Sequence, residues 1–267
     1  MKNPEIKAEI KKHLDTIASS NIIYQNRRQS LLPTFDAIKA LHTPDFEKNF
    51  KSAVGKIKKY QEASMYVFAE LPDLFSKDFI KYEILESYHE SCRSMILQRI
   101  GNSKLSGLLF VLHEVMENYP DDVAWAITSL GEIADDSSIP LLIDLYKKTG
   151  TQYSGLAMAL RKFRPNPSVI EPLKHIFVLC DEYPPTHKDI IKRDKIMAAW
   201  ALCKHGCFDH YDYIVGLLED SDISTETSFS PGEARTAAQA ISDIKGWEFE
   251  WEEKYVQVVK DRLKVEQ

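Results

Sequence analysis

The chain has 267 residues, 44% hydrophobic and 28% charged, with a formal charge of −6 and a pI near 5.8. These values exclude a disordered chain, a collagen and a small disulfide scaffold, and net acidity argues against a dedicated binder of the nucleic-acid backbone. Its 10 glycines are few for this length, which disfavours folds that rely on Gly-rich turns and phosphate loops.

The first thirteen residues, MKNPEIKAEIKKH, carry charges with no apolar run behind them, and the four cysteines (Cys92, Cys180, Cys203, Cys207) follow no framework spacing. Both features point to a reduced, cytoplasmic protein. Apolar runs such as Leu108–Leu112 fall far short of the ~20 residues that span a bilayer, so no membrane partner is expected. The charge is unevenly spread. Residues 1–60 hold 12 Lys/Arg against 6 Asp/Glu, a net of +6, whereas residues 61–267 hold 22 against 34, a net of −12. An acidic body of this kind suits a basic partner.

Helical periodicity dominates. Asn3-Pro4, Thr43-Pro44, Asn166-Pro167 and Ser230-Pro231 each set a capping side chain before a proline whose missing N–H costs nothing in a first turn. Gly101, Gly206 and Gly246 follow basic residues and read as C-caps. In the first hundred residues the pattern predicts helices within Glu5–Ala18, Pro33–Leu41, Asp45–Gln61 and Lys77–Ile100. They carry no repeat signature, so residues 1–100 are expected to form a helical N-terminal cap region or degenerate repeats ahead of residues 101–267.

The remainder is internally similar. Val123-Ala-Trp-Ala-Ile127, Leu156-Ala-Met-Ala-Leu160, Ala198-Ala-Trp-Ala-Leu202 and Ala237-Ala-Gln-Ala-Ile241 align on Ala126, Ala159, Ala201 and Ala240, at separations of 33, 42 and 39 residues. That is the period of a helical-hairpin repeat. Each Ala-rich helix is followed by a second apolar one, beginning near Ile139, Ile170, Tyr213 and Trp247. Alanine permits close helix approach while the branched neighbours fill the seams. On these residues the chain, from about 105 to 250, resembles the HEAT-like repeat family, of the short-repeat type found in phycobilin lyase-related proteins. The resemblance implies an all-α fold, an α-solenoid of HEAT-like helical hairpins, in which the Ala-rich helices line the concave face. It implies little about function, since the family includes scaffolds, inhibitors and enzymes. Two polar insertions, 181–187 and 219–230, interrupt the repeats.

Enzymatic signatures are sparse. Cys203-Lys-His205-Gly-Cys207 with His210 has zinc-type donors but no second pair at finger spacing, and reads better as thiols and a histidine at a hairpin turn. Glu86-Ser-Tyr-His89 has the spacing of di-iron bundles but occurs once, where such sites need it twice. His113-Glu114 begins a zincin motif that Glu117 breaks, and P-loop, nucleophile-elbow and dinucleotide fingerprints are missing. No metal and no cofactor is expected.

The candidate binding positions lie on the Ala-rich helices. Trp125, Met158, Trp200 and Gln239 precede the aligned alanines, and Ser129, Lys162, Lys204 and Asp243 follow one turn later. Two readings stay open for the tryptophans: they line a protein-binding groove, or they pack between repeats. Asp220 and Asp222 add acid for a basic partner. The expectation is a non-catalytic protein-binding repeat protein, of the inhibitor or immunity type that neutralises a basic partner such as a nuclease toxin. The alternative is a groove-binding lyase-like ligand carrier or a relative of the HEAT-like DNA glycosylases, although Ala126 to Ser129 lack the acids that follow the glycosylase tryptophan.

Overall fold

The computed structural model describes residues 2–19, 24–86, 90–149, 155–179, 188–218, 233–248 and 255–266, and among them there are helices and turns but no strand. The fold is all-α, of the repeat-solenoid class. The chain divides into two compact units, residues 1–133 and 134–267.

The first unit opens with α1 (Asn3–Ser19), whose Ile6, Ile10, Leu14 and Ile17 form one buried stripe at helical spacing. It packs on α2 (Tyr24–Ala40), α3 (Phe46–Val54) and α4 (Lys58–Glu70). Within Asp45–Gln61, where the pattern predicts helix, α3 ends and α4 begins, because Gly55 takes φ +54 after α3 and the chain turns there. Phe46, Phe50, Phe68 and Phe75 fill the centre of this unit, with Phe75 edge-on to Phe50 and Phe68 at 4.9 Å between centroids.

Within Lys77–Ile100, where the pattern predicts helix, the described residues are helical. α5 (Lys77–Lys81) is capped by Ser76, whose hydroxyl accepts the Phe79 N–H at 3.2 Å; it leads through a π-helical turn (Tyr82–Glu86) toward α6 (Glu90–Asn102). α7 (Leu109–Asn118) and α8 (Val123–Ile133) complete the unit. α6 packs along α8, so the boundary expected at residue 100 falls inside the first compact unit.

Gly101 is not the C-cap the sequence suggested. α6 continues to Asn102, and a Cβ at position 101 would lie 2.6 Å from the Ser129 Cα, so the missing side chain serves close approach of α6 to α8. The other two expected caps, Gly206 and Gly246, take φ +87 and +67, and the N–H groups of Cys207 and Trp247 close Schellman turns on Leu202 and Ser242.

The second unit comprises α9 (Ile139–Thr149), α10 (Leu156–Leu160), α11 (Ile170–Leu179), α12 (Lys188–Lys204), α13 (Tyr211–Gly216), α14 (Glu233–Lys245) and α15 (Tyr255–Glu266). The Ala-rich helices lie side by side, α10 on α12 and α12 on α14, while α11 and α13 flank them. Ala157, Ala159, Ala198, Ala199, Ala201, Ala237, Ala238 and Ala240 are all buried in these seams. α15 closes the stack on α14, where Tyr255 donates to Ser242 Oγ at 2.9 Å. Asn166 caps the turn into α11 by accepting the Ser168 N–H at 2.9 Å, as its sequence position before Pro167 suggests.

Candidate functional site

The two aligned tryptophans have opposite environments. Trp200 on α12 is 2% exposed, and its indole N–H donates to Asp243 Oδ2 on α14 at 2.8 Å. The guanidinium of Arg161, just past α10, lies 3.5 Å from the ring centroid. Lys204, one turn beyond Trp200, reaches Asp243 Oδ1 at 3.3 Å. Trp200, Lys204 and Asp243, singled out in the sequence, therefore belong to one cluster that bonds three successive Ala-rich helices together. Of the two readings for Trp200, the buried ring takes packing between repeats. The sequence pattern missed Arg161, although its place 39 residues before Trp200 is close to the repeat period.

Trp125 on α8 is 41% exposed. Arg93 on α6 forms a largely buried ion pair with Asp122 at 2.7 Å, Leu97 O accepts the Ser129 hydroxyl at 2.7 Å, and Gly101 also meets Ser129. These pairings run forward along both helices, so α6 and α8 are parallel and offset by about thirty residues. At that offset Met95, 58% exposed, aligns with Trp125, but it stands two residues from both Arg93 and Leu97 and so on the side of α6 turned away from α8. Asp121 is exposed one turn before Trp125, on the same flank.

The remaining candidate positions separate by burial. Ser129 is 1% exposed and its hydroxyl is engaged with Leu97, so it holds α6 against α8 and is closed to a partner. Met158 and Lys162 are half-buried. Asp220 and Asp222 lie outside the described residues, as do the 181–187 and 219–230 insertions.

The residues with metal-type spacing have structural employment. His205 is buried; its Nε2–H donates to Leu160 O at 3.0 Å and its Nδ1 accepts the Asn166 N–H at 2.9 Å, so both ring nitrogens are occupied. Burial holds its pKa below the usual histidine value. Burial also pushes the Cys203 thiol up to about 12, the reverse of what a thiolate ligand requires. His210 stacks on Phe177 at 3.9 Å between centroids. Among the described residues no group of three or more His, Cys, Asp or Glu side chains is placed to hold a metal ion. In the first unit Glu86 accepts a hydrogen bond from Tyr119, which raises that phenol to about 12, while Glu114 pairs with Lys81. His89 lies outside the described residues.

The family model of the PBS lyase HEAT-like repeat matches residues 123–148, which span α8 and α9 and include Trp125. The chain carries a HEAT-like repeat. No curated protein and no solved structure matches it. HEAT-like repeats are helical scaffolds that typically bind other proteins, and among the described residues no helix is long and apolar enough to cross a membrane.

Proposed function

We propose that this chain is a non-catalytic, protein-binding HEAT-like repeat protein that inhibits or neutralises a basic partner, in the manner of an immunity protein directed at a nuclease toxin. The exposed Trp125 carries the reading. A large aromatic left 41% accessible within the matched repeat is the kind of anchor on which protein interfaces concentrate their energy. The net charge of −12 over residues 61–267 supports a cationic target. The alternative, a groove that holds a base or a small ligand between two tryptophans, has less support because Trp200 is already covered by Arg161.

Copurification from the native host with mass spectrometry, comparing wild type with Trp125→Ala, tests the reading. A stoichiometric basic protein recovered with wild type and lost with the variant supports it. A partner retained equally by both, or an acidic partner, overturns it.

A further inference from the structure

The chain builds the same tryptophan position twice and completes it once. At Trp200 the ring face is covered by the Arg161 guanidinium, and the indole edge is held by the Asp243 carboxylate. Arg161 directly follows the preceding Ala-rich helix, three residues beyond Met158, the position that aligns with Trp200. The corresponding place beside Trp125, counted along α6 from Met95, is Gln98, an exposed neutral amide. The first unit thus provides the aromatic ring at Trp125 without a guanidinium for its face.

It does provide the counter-charge. Asp121 lies one turn from Trp125, and among the described residues no cation pairs with it. An indole face next to an unpaired carboxylate is attractive to a planar cation, because the ring quadrupole draws the charge while the carboxylate takes the guanidinium N–H groups. Arginine fits this arrangement better than lysine, since its flat guanidinium stacks and hydrogen-bonds at once.

Resting on the protein-binding reading above, we propose that the Trp125 and Asp121 face receives an arginine side chain of the partner protein, completing in trans the stack that Arg161 makes on Trp200 in cis.

The test follows the indole N–H resonances of the whole protein during titration with N-acetyl-arginine amide, N-acetyl-lysine amide and uncharged N-acetyl-citrulline amide. The expected result is a saturable shift of the Trp125 signal, assigned by its loss in Trp125→Phe. Arginine should act several-fold more strongly than lysine, citrulline should have almost no effect, and the Trp200 signal should stay still. Asp121→Asn should weaken the arginine response several-fold while leaving the other indole signals in place. An unmoved Trp125 signal overturns the proposal, as does an equal response to arginine and citrulline or equal movement of Trp200. Failure here is separable from failure of the protein-binding reading. A partner that is lost with Trp125→Ala but indifferent to Asp121→Asn, together with a silent arginine titration, keeps the binding face and removes the arginine.

Discussion

Asp243 on α14 accepts the indole N–H of Trp200 on α12 at 2.8 Å and holds Lys204 with its other oxygen at 3.3 Å. A tryptophan 2% exposed needs an acceptor for its N–H, and here the acceptor belongs to the next repeat. One carboxylate therefore couples the register of two Ala-rich helices, and Arg161 extends the coupling to a third.

Removing that acceptor leaves a buried donor unsatisfied. Asp243→Ala is expected to cost about 1–3 kcal/mol of stability, measured by urea unfolding. Asp243→Asn keeps a carbonyl acceptor and should cost less. If Asp243→Ala and Asp243→Asn are equally benign, the bond to Trp200 carries no stability.

The aligned tryptophans should respond differently to truncation. Trp200→Ala removes a fully enclosed ring and is expected to cost about 3–5 kcal/mol. Trp125→Ala should stay within roughly 0.5 kcal/mol of wild type and preserve the far-ultraviolet circular dichroism. Loss of helical signal in Trp125→Ala would mean that its exposed ring supports the fold.

Two glycines separate space from backbone conformation. At Gly107 a Cβ would lie 2.2 Å from the backbone carbonyl oxygen of Ala69, so Gly107→Ala forces two backbone segments apart and should cost about 1–3 kcal/mol. At Gly206 there is open space but φ is +87, and Gly206→Ala should cost about 1–2 kcal/mol through left-handed strain alone. Thermal or urea unfolding ranks them, and a neutral Gly107→Ala would contradict the packing there.

Acid should destabilise the second unit through His205. Its folded pKa is lowered by burial, so the neutral ring is the one the fold keeps. Above the ordinary histidine value both states are neutral and the stability is fully present. As pH falls below that value the unfolded chain takes up a proton that the folded ring refuses, and stability is lost until the folded pKa is reached. His210, in the same unit, is lowered by burial too and adds in the same direction, while His13 acts likewise on the first unit. Urea midpoints between about pH 8 and pH 5 should fall with acid, and His205→Gln should flatten part of the slope. An unchanged slope in that variant would assign the effect to the other histidines.

Breaking the buried ion pair between α6 and the turn into α8 should be costly. Arg93→Met leaves Asp122 as an uncompensated carboxylate at 10% side-chain exposure, with an expected loss of about 3–5 kcal/mol. Arg93→Met combined with Asp122→Leu should recover much of it, and denaturant unfolding of the single and double variants measures the difference.

The all-α class, the repeat period and the caps at Asn166, Gly206 and Gly246 were legible in the sequence because they depend on local rules: apolar spacing, proline geometry and left-handed glycine. Breaks within apparently continuous helical patterns were harder to read. Phe46 to Gln61 has helix-compatible apolar spacing on both sides of Gly55, and only the turn at φ +54 divides it. Gly101 looked like a cap because a glycine after a basic residue usually is one, whereas the nearness of Ser129, 28 residues away, gives it another role.

The sequence by itself determined that Trp125 and Trp200 occupy the same repeat position, since that follows from alanine periodicity along one chain. It could not determine which of them is available to a partner. That depends on what neighbouring helices offer at the same height: Arg161 and Asp243 enclose Trp200, while the neutral Gln98 leaves Trp125 accessible. Burial is a property of contacts between segments about thirty to forty residues apart. Those contacts arise only when the helices are stacked, so tertiary structure alone made one tryptophan a seam and the other a surface.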